Sequence, residues 1–136
     1  MKRHILLVDD DKDELTIFMA ALRKVPHDDG FKCTYAGNAA QAIEMLKYLV
    51  PDYIFADFNI PEMNGLDLLT YIKDQERFEK TRLCLYSNVI SDKAQDHAAA
   101  MGAYCLQKPD SIDKLAKALS ILFDRSSLHL SQPEKF

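Results

Sequence analysis

Five short apolar runs, rich in β-branched or aromatic residues, punctuate the chain: His4–Val8, Phe31–Ala36, Tyr53–Ala56, Leu83–Tyr86 and Tyr104–Gln107. Between them the apolar residues follow a helical period. Leu15, Phe18, Met19 and Leu22 form one stripe; Ala39, Ala42, Ile43, Leu46 and Leu49 or Val50 form a second. Leu66, Leu69 and Ile72 follow the third run, Ala94, Ala98 and Met101 the fourth, and Ile112, Leu115, Leu119 and Leu122 the fifth. Strand and helix therefore alternate five times. Parallel strands need long crossovers, so this order predicts an α/β fold, (βα)5, with helices on both faces of a parallel sheet.

The punctuation agrees. Asp11 and Glu14 have the spacing of a capping pair, and Asn38 and Ser91 are placed as N-caps. Gly30 and Gly102 stand where the chain turns into the next strand. One domain is expected over residues 1–124, followed by a polar C-terminal tail over 125–136 that contains Pro133. A chain of 136 residues with 48% hydrophobic content can bury a real core. Its net charge of −4 gives no electrostatic reason for binding nucleic acid or an anionic membrane. No apolar run is long enough to span a bilayer, and "MKRH" leads into a strand rather than a leader. Cys33, Cys84 and Cys105 are too far apart for a zinc site and read as reduced core thiols of a cytoplasmic protein.

Right-handed crossovers leave few topologies for five such units. The first and third runs, "ILLV" and "YIFA", are solidly apolar and belong at the sheet centre. The doubly wound, flavodoxin-like strand order 2-1-3-4-5 makes them neighbours, with the winding direction changing between them. Ligands of such sheets bind there, beyond the carboxyl ends of the strands. Asp9, Asp10 and Asp11 follow the first strand, and Asp57 follows the third. Ser87 ends the fourth, and Lys108 ends the fifth. Scattered polar groups thus converge on one sheet edge.

Adjacent strands are about 4.8 Å apart, so Asp9 or Asp10 can approach Asp57 closely. At roughly 5 Å and an effective dielectric near 20, two carboxylates repel by about 3 kcal/mol. Such a site either raises one pKa or binds a cation. The donors are hard oxygens, which favour Mg²⁺ over zinc or copper. With a lysine and a hydroxyl added, the set suits a phosphoryl group, and a carboxylate there can act as a nucleophile.

"LLVDDDKDE", "IFADFNIPEMNGLDLL", "LYSN" and "LQKP" together resemble the receiver domain of two-component response regulators, over roughly residues 3–124. The resemblance implies that Asp57 accepts the phosphoryl group. It implies that Asp10 ligates Mg²⁺ directly, that Asp9 acts through water, and that the Asn59 backbone carbonyl completes the protein ligands. Ser87 and Lys108 would bind phosphoryl oxygens, and Pro109 is a candidate for a cis bond. The donor would be a sensor histidine kinase or a phosphotransfer protein. A downstream protein would dock on the face made by the fourth helix, fifth strand and fifth helix, with no direct nucleic-acid or membrane contact. Pro61 and Gly65 would shape a tight loop, Gly65 through a positive φ.

Two positions depart from that family. Ser87 is followed by Asn88, where a threonine and a small residue are common. The residue three before Lys108 is Cys105, where an inward-turning aromatic is usual, and the neighbouring ring is Tyr104. "GAYCLQKP" looks one residue short, so a shifted register is open.

Two rival readings remain. A haloacid-dehalogenase-type phosphatase would use Asp9-x-Asp11, but Asp13 stands where that motif has Thr or Val, and only Asp110 and Asp113 could supply its late acids. The other is a receiver-fold interaction module that is never phosphorylated, against which Asp10, Asp57 and Lys108 argue.

Overall fold

The structure, a computed structural model, describes residues 2–27 and 29–128. Five strands, β1 (Arg3–Val8), β2 (Phe31–Ala36), β3 (Tyr53–Ala56), β4 (Arg82–Ser87) and β5 (Tyr104–Gln107), form one parallel sheet in the order β2-β1-β3-β4-β5. They alternate with α1 (Asp13–Lys24), α2 (Ala39–Met45), α3 (Gly65–Lys73), α4 (Asp92–Ala100) and α5 (Ile112–Leu128). A single 3₁₀ turn, Glu76–Phe78, precedes β4. This is the flavodoxin-like α/β architecture that the strand and helix alternation predicts. Helix α5 runs past residue 124, and residues 129–136 of the expected tail lie outside the described residues.

Strand alternation divides the core into two layers. Leu6, Val8, Ile54, Ala56, Leu83, Leu85 and Cys105 face α2, α3 and α4. Ile5, Leu7, Tyr53, Phe55, Cys84, Tyr86, Tyr104 and Leu106 face α1 and α5. β1 and β3 are buried on both sides, which explains their unbroken apolar runs. Each such Leu, Ile or Phe contributes about 1.5–3 kcal/mol by leaving water. That energy fixes the strand ends where the polar residues begin.

Local signals mostly act as their chemistry dictates. The Asn38 side chain accepts the Gln41 N–H at 2.8 Å, and Ser91 accepts the Ala94 N–H at 3.1 Å. Asn64 caps α3 in the same way, accepting from Asp67 at 2.8 Å, a cap the sequence pattern had not marked. Gly30 (φ 91°) and Gly102 (φ 82°) take the left-handed conformation that a side chain disfavours.

Three local expectations need correction. The Asp11–Glu14 pair does not cap α1, whose N-cap position is Lys12 and has no side-chain cap bond. Asp11 accepts the Asp13 N–H at 3.0 Å, but the Glu14 carboxylate points elsewhere. Gly65 does not have a positive φ; a Cβ there would lie 2.0 Å from the Asp57 carbonyl oxygen, so close backbone approach is what demands glycine. No cis peptide occurs among the described residues, so the Lys108–Pro109 bond is trans. The lysine is aimed by its strand instead, through the Lys108 N–H donating to the Ser87 carbonyl at 2.8 Å.

The β4–β5 ladder pairs Cys84 with Tyr104, Leu85 with Cys105, Tyr86 with Leu106 and Ser87 with Gln107, so β5 has no register shift. None of the three cysteines forms a disulfide; Cys84 and Cys105 are buried on opposite faces, and Cys33 on the edge strand β2 is only half-buried.

Candidate functional site

Sheet-type hydrogen bonds continue one residue beyond the strands and position the polar groups. The Asp9 N–H donates to the Ala36 carbonyl at 3.0 Å, and the Asp57 N–H to the Val8 carbonyl at 2.9 Å. Asp9 and Asp57 are therefore held side by side at the edge where the winding changes. Ser87 reaches the site as the last residue of β4, and Lys108 follows β5.

The side chains converge closely. The Lys108 ammonium lies 2.7 Å from Asp9 Oδ2 and 2.8 Å from Asp57 Oδ2. Ser87 Oγ donates to Asp57 Oδ1 at 2.7 Å, and the Asn59 N–H donates to the same oxygen at 3.1 Å. Asp9 is wholly buried, Asp57 is 7% exposed and Ser87 1% exposed. Burying these charges costs several kcal/mol per ion unless each is paired. The pairing is complete: no buried side-chain polar atom among the described residues lacks a partner.

The titration behaviour follows from this packing. Burial pushes the Asp9 carboxyl up, and the bonds from Lys108 and the Asp11 N–H only partly offset it, so its pKa stays raised. Burial acts on Asp57 too, but hydrogen bonds from Lys108, Ser87 and the Asn59 N–H outweigh it and leave its pKa lowered. For Lys108 burial works against the ammonium, while Asp57 and Asp9 more than compensate and raise its pKa. Of the two buried carboxylates, Asp57 is the one whose surroundings favour the ionised form.

Asp10 is exposed, yet carboxylate oxygens of Asp9, Asp10 and Asp57 all lie within 4.8 Å of one another. Three hard oxygen donors of like charge at that spacing fit a small divalent cation such as Mg²⁺. Asp110 and Asp113 are exposed and pair with Lys114 and Lys24, at 2.9 and 3.0 Å. Asn88 is exposed, and its carbonyl accepts from the Gln107 amide at 2.9 Å. Tyr104 is buried against the α1/α5 layer, whereas Cys105 lies in the α4 layer, so the tyrosine ring does not replace the missing aromatic.

Sequence reasoning missed three neighbours of the site. The Tyr35 hydroxyl donates to the Asp9 carbonyl at 2.5 Å. The Glu14 carboxylate stands 3.8 Å from the Lys108 ammonium, and Tyr86 lies beneath that ammonium with its ring centroid at 5.3 Å. An acid in the first turn of α1 carries no sequence mark of facing a lysine far along the chain.

A doubly wound parallel sheet with a carboxylate cluster, a hydroxyl and a lysine at its switch point defines a receiver-type protein. The family model described as "Response regulator receiver domain" matches residues 5–120, and the chain belongs to that family. It is 36% identical over 114 residues to the alginate biosynthesis transcriptional regulatory protein AlgB of Pseudomonas putida, covering 84% of this chain but 24% of that protein. The chain therefore spans about a quarter of that relative. A probable chemotaxis protein CheY of Rhizobium etli is 27% identical over 124 residues, covering 90% of this chain and 93% of that protein. The phosphorylated cyanobacterial phytochrome response regulator RcpA shares the fold with a TM-score of 0.79 at 18% identity, covering 97% of this chain and 98% of that one. Receiver domains are signalling modules rather than conventional enzymes.

Proposed function

We propose that this chain is the phosphoacceptor module of a phosphorelay, with Asp57 taking a phosphoryl group from a histidine kinase or phosphotransfer protein. The observation that supports this most is the setting of Asp57. It is a nearly buried carboxylate held by Ser87 on one oxygen and Lys108 on the other, with carboxylate oxygens of Asp9 and Asp10 within 4.8 Å. In the transfer, an Asp57 oxygen attacks phosphorus; the new P–O bond forms as the P–N bond to the donor imidazole breaks. The electron pair of that bond leaves on the imidazole nitrogen. Lys108 and Ser87 already touch the attacking carboxylate, so they are in place to hold the phosphoryl oxygens as charge develops. Asp10 directly, Asp9 through water and the Asn59 carbonyl would hold Mg²⁺, with Asp57. When bound, Mg²⁺ offsets the repulsion between the acceptor carboxylate and the phosphoryl oxygens.

The chain's own chemistry is then limited to forming and losing its aspartyl phosphate. The receiver unit covers residues 1–124, and helix α5 carries the chain on to Leu128. The phosphorylated form would act by changing how a cytoplasmic protein partner binds the face of α4, β5 and α5, without direct contact with nucleic acid or membrane. Phosphate-affinity electrophoresis after incubation with acetyl phosphate and Mg²⁺ tests the assignment. The wild type shifts and Asp57→Asn does not; a shift that survives the substitution contradicts it.

A further inference from the structure

An ammonium has three N–H donors, and Lys108 spends two of them on Asp9 and Asp57. Beyond them lies Glu14 of α1, whose Oε1 is 3.8 Å away, too far for a hydrogen bond. Glu14 is not an ordinary surface acid. Its side chain is 15% exposed, and its other oxygen accepts the Tyr86 hydroxyl at 3.4 Å. Tyr86 is in turn fixed by the Phe18 and Phe55 rings, at centroid distances of 5.7 and 6.1 Å. The same tyrosine ring lies under the Lys108 ammonium. Helix α1 and strand β4 have thus built a second, rigid place for a positive charge beside the first.

That second place answers a conflict within the site. Through Asp9, Lys108 holds a carboxylate that a divalent cation needs, and two cations repel strongly at such range in a poorly hydrated site. On the receiver reading, we propose that Glu14, braced by Tyr86, is a positioning residue: the seat onto which the Lys108 ammonium swings when a divalent cation takes Asp9. The swing pivots on the Asp57 side, so the lysine stays beside the acceptor carboxylate. Without Glu14 the displaced ammonium has no carboxylate to replace Asp9, and the buried charge resists the metal.

Calorimetric Mg²⁺ titration of the full chain tests this in a four-member cycle: wild type, Glu14→Gln, Lys108→Met and the double variant. Glu14→Gln keeps the shape and removes the charge, and it should weaken Mg²⁺ binding about tenfold, the worth of one hydrogen bond to a charged group. In the Lys108→Met background the same change should cost less than about twofold, because the seat has no occupant. Tyr86→Phe, which deletes only the bracing hydroxyl, should weaken binding in the same direction by a smaller factor, and stands in if Glu14→Gln fails to fold. An equal loss in both backgrounds would show that Glu14 acts as a distant negative charge and overturn the seat. No loss from either Glu14→Gln or Tyr86→Phe would overturn it as well. A wild type that binds no Mg²⁺ would instead bring down the receiver reading, and the seat with it.

Discussion

The two faces of the sheet are packed from different material. Towards α1 and α5 the buried layer holds the rings of Phe18, Tyr53, Phe55, Tyr86, Tyr104 and Phe123, several in edge-to-face contact. Towards α2, α3 and α4 the layer is aliphatic and small beneath α4, which buries only Ala94 and Ala98, with Cys105 on the strand below. A helix held by two alanines loses little apolar burial when it moves, whereas one locked on aromatic rings loses much. Lys108 sits at the boundary, with Tyr86 under it on the aromatic side. The denser aromatic support of the lysine lies on the α1 side, and the lighter small-residue packing lies on the α4 side. Cys105, three residues before Lys108, leaves this layer beneath α4 without an aromatic ring on β5.

The sharpest way to break this contrast is to remove the ring at the boundary. Tyr86→Ala empties a fully buried site between Phe18 and Phe55, and should cost about 3–5 kcal/mol in a denaturant titration. A loss below about 1 kcal/mol would mean that the aromatic layer is not the rigid one. On the opposite face, Ala98→Leu inserts bulk where the wholly buried alanine packs. If α4 yields, the cost should stay near the low end of the usual overpacking range of about 1–3 kcal/mol. A cost matching that of Tyr86→Ala would erase the distinction between the faces.

Thiol labelling reads the same contrast with a smaller effect. Cys105, under α4, should be alkylated ahead of Cys84, which is buried against the aromatic layer. Cys33 is the accessible reference, but burial pushes its thiol up to about 11. Alkylation requires the thiolate, so at pH 8 Cys33 should react on the order of a hundredfold more slowly than a free cysteine. Its rate should rise with pH until about 11, where the thiolate becomes the main form. Labelling of Cys84 before Cys105 would reverse the assignment of the two faces.

Much of this was legible in the sequence, and the reason is local. Strand runs, helical stripes and the central placement of "ILLV" and "YIFA" follow from hydrophobic period and burial alone, and the structure has the same five strands in the same order. Asp57, Ser87 and Lys108 were findable because strand ends converge at a switch point whatever the side chains do. Glu14 was not, because its spacing from Asp11 fits a helix cap equally well. A carboxylate beside a nearly buried ammonium gains more there than by capping an exposed turn, and only the assembled sheet brings that ammonium near. Gly65 was identified as special for the wrong reason: a sequence marks a glycine but not whether the need is a positive φ or room for the Asp57 carbonyl. The β5 register was open for a similar cause, since "GAYCLQKP" fits either alignment until Ser87 and Gln107 pair.

The central claim, that Asp57 is the acceptor, is tested most directly by finding the modified atom. The chain is incubated with acetyl phosphate and Mg²⁺, reduced with borohydride, which converts an aspartyl phosphate to homoserine, and mapped by tandem mass spectrometry. Homoserine at position 57 is the predicted result. Homoserine at Asp9 or Asp10, or an unmodified chain under conditions where Mg²⁺ binds, would contradict the account.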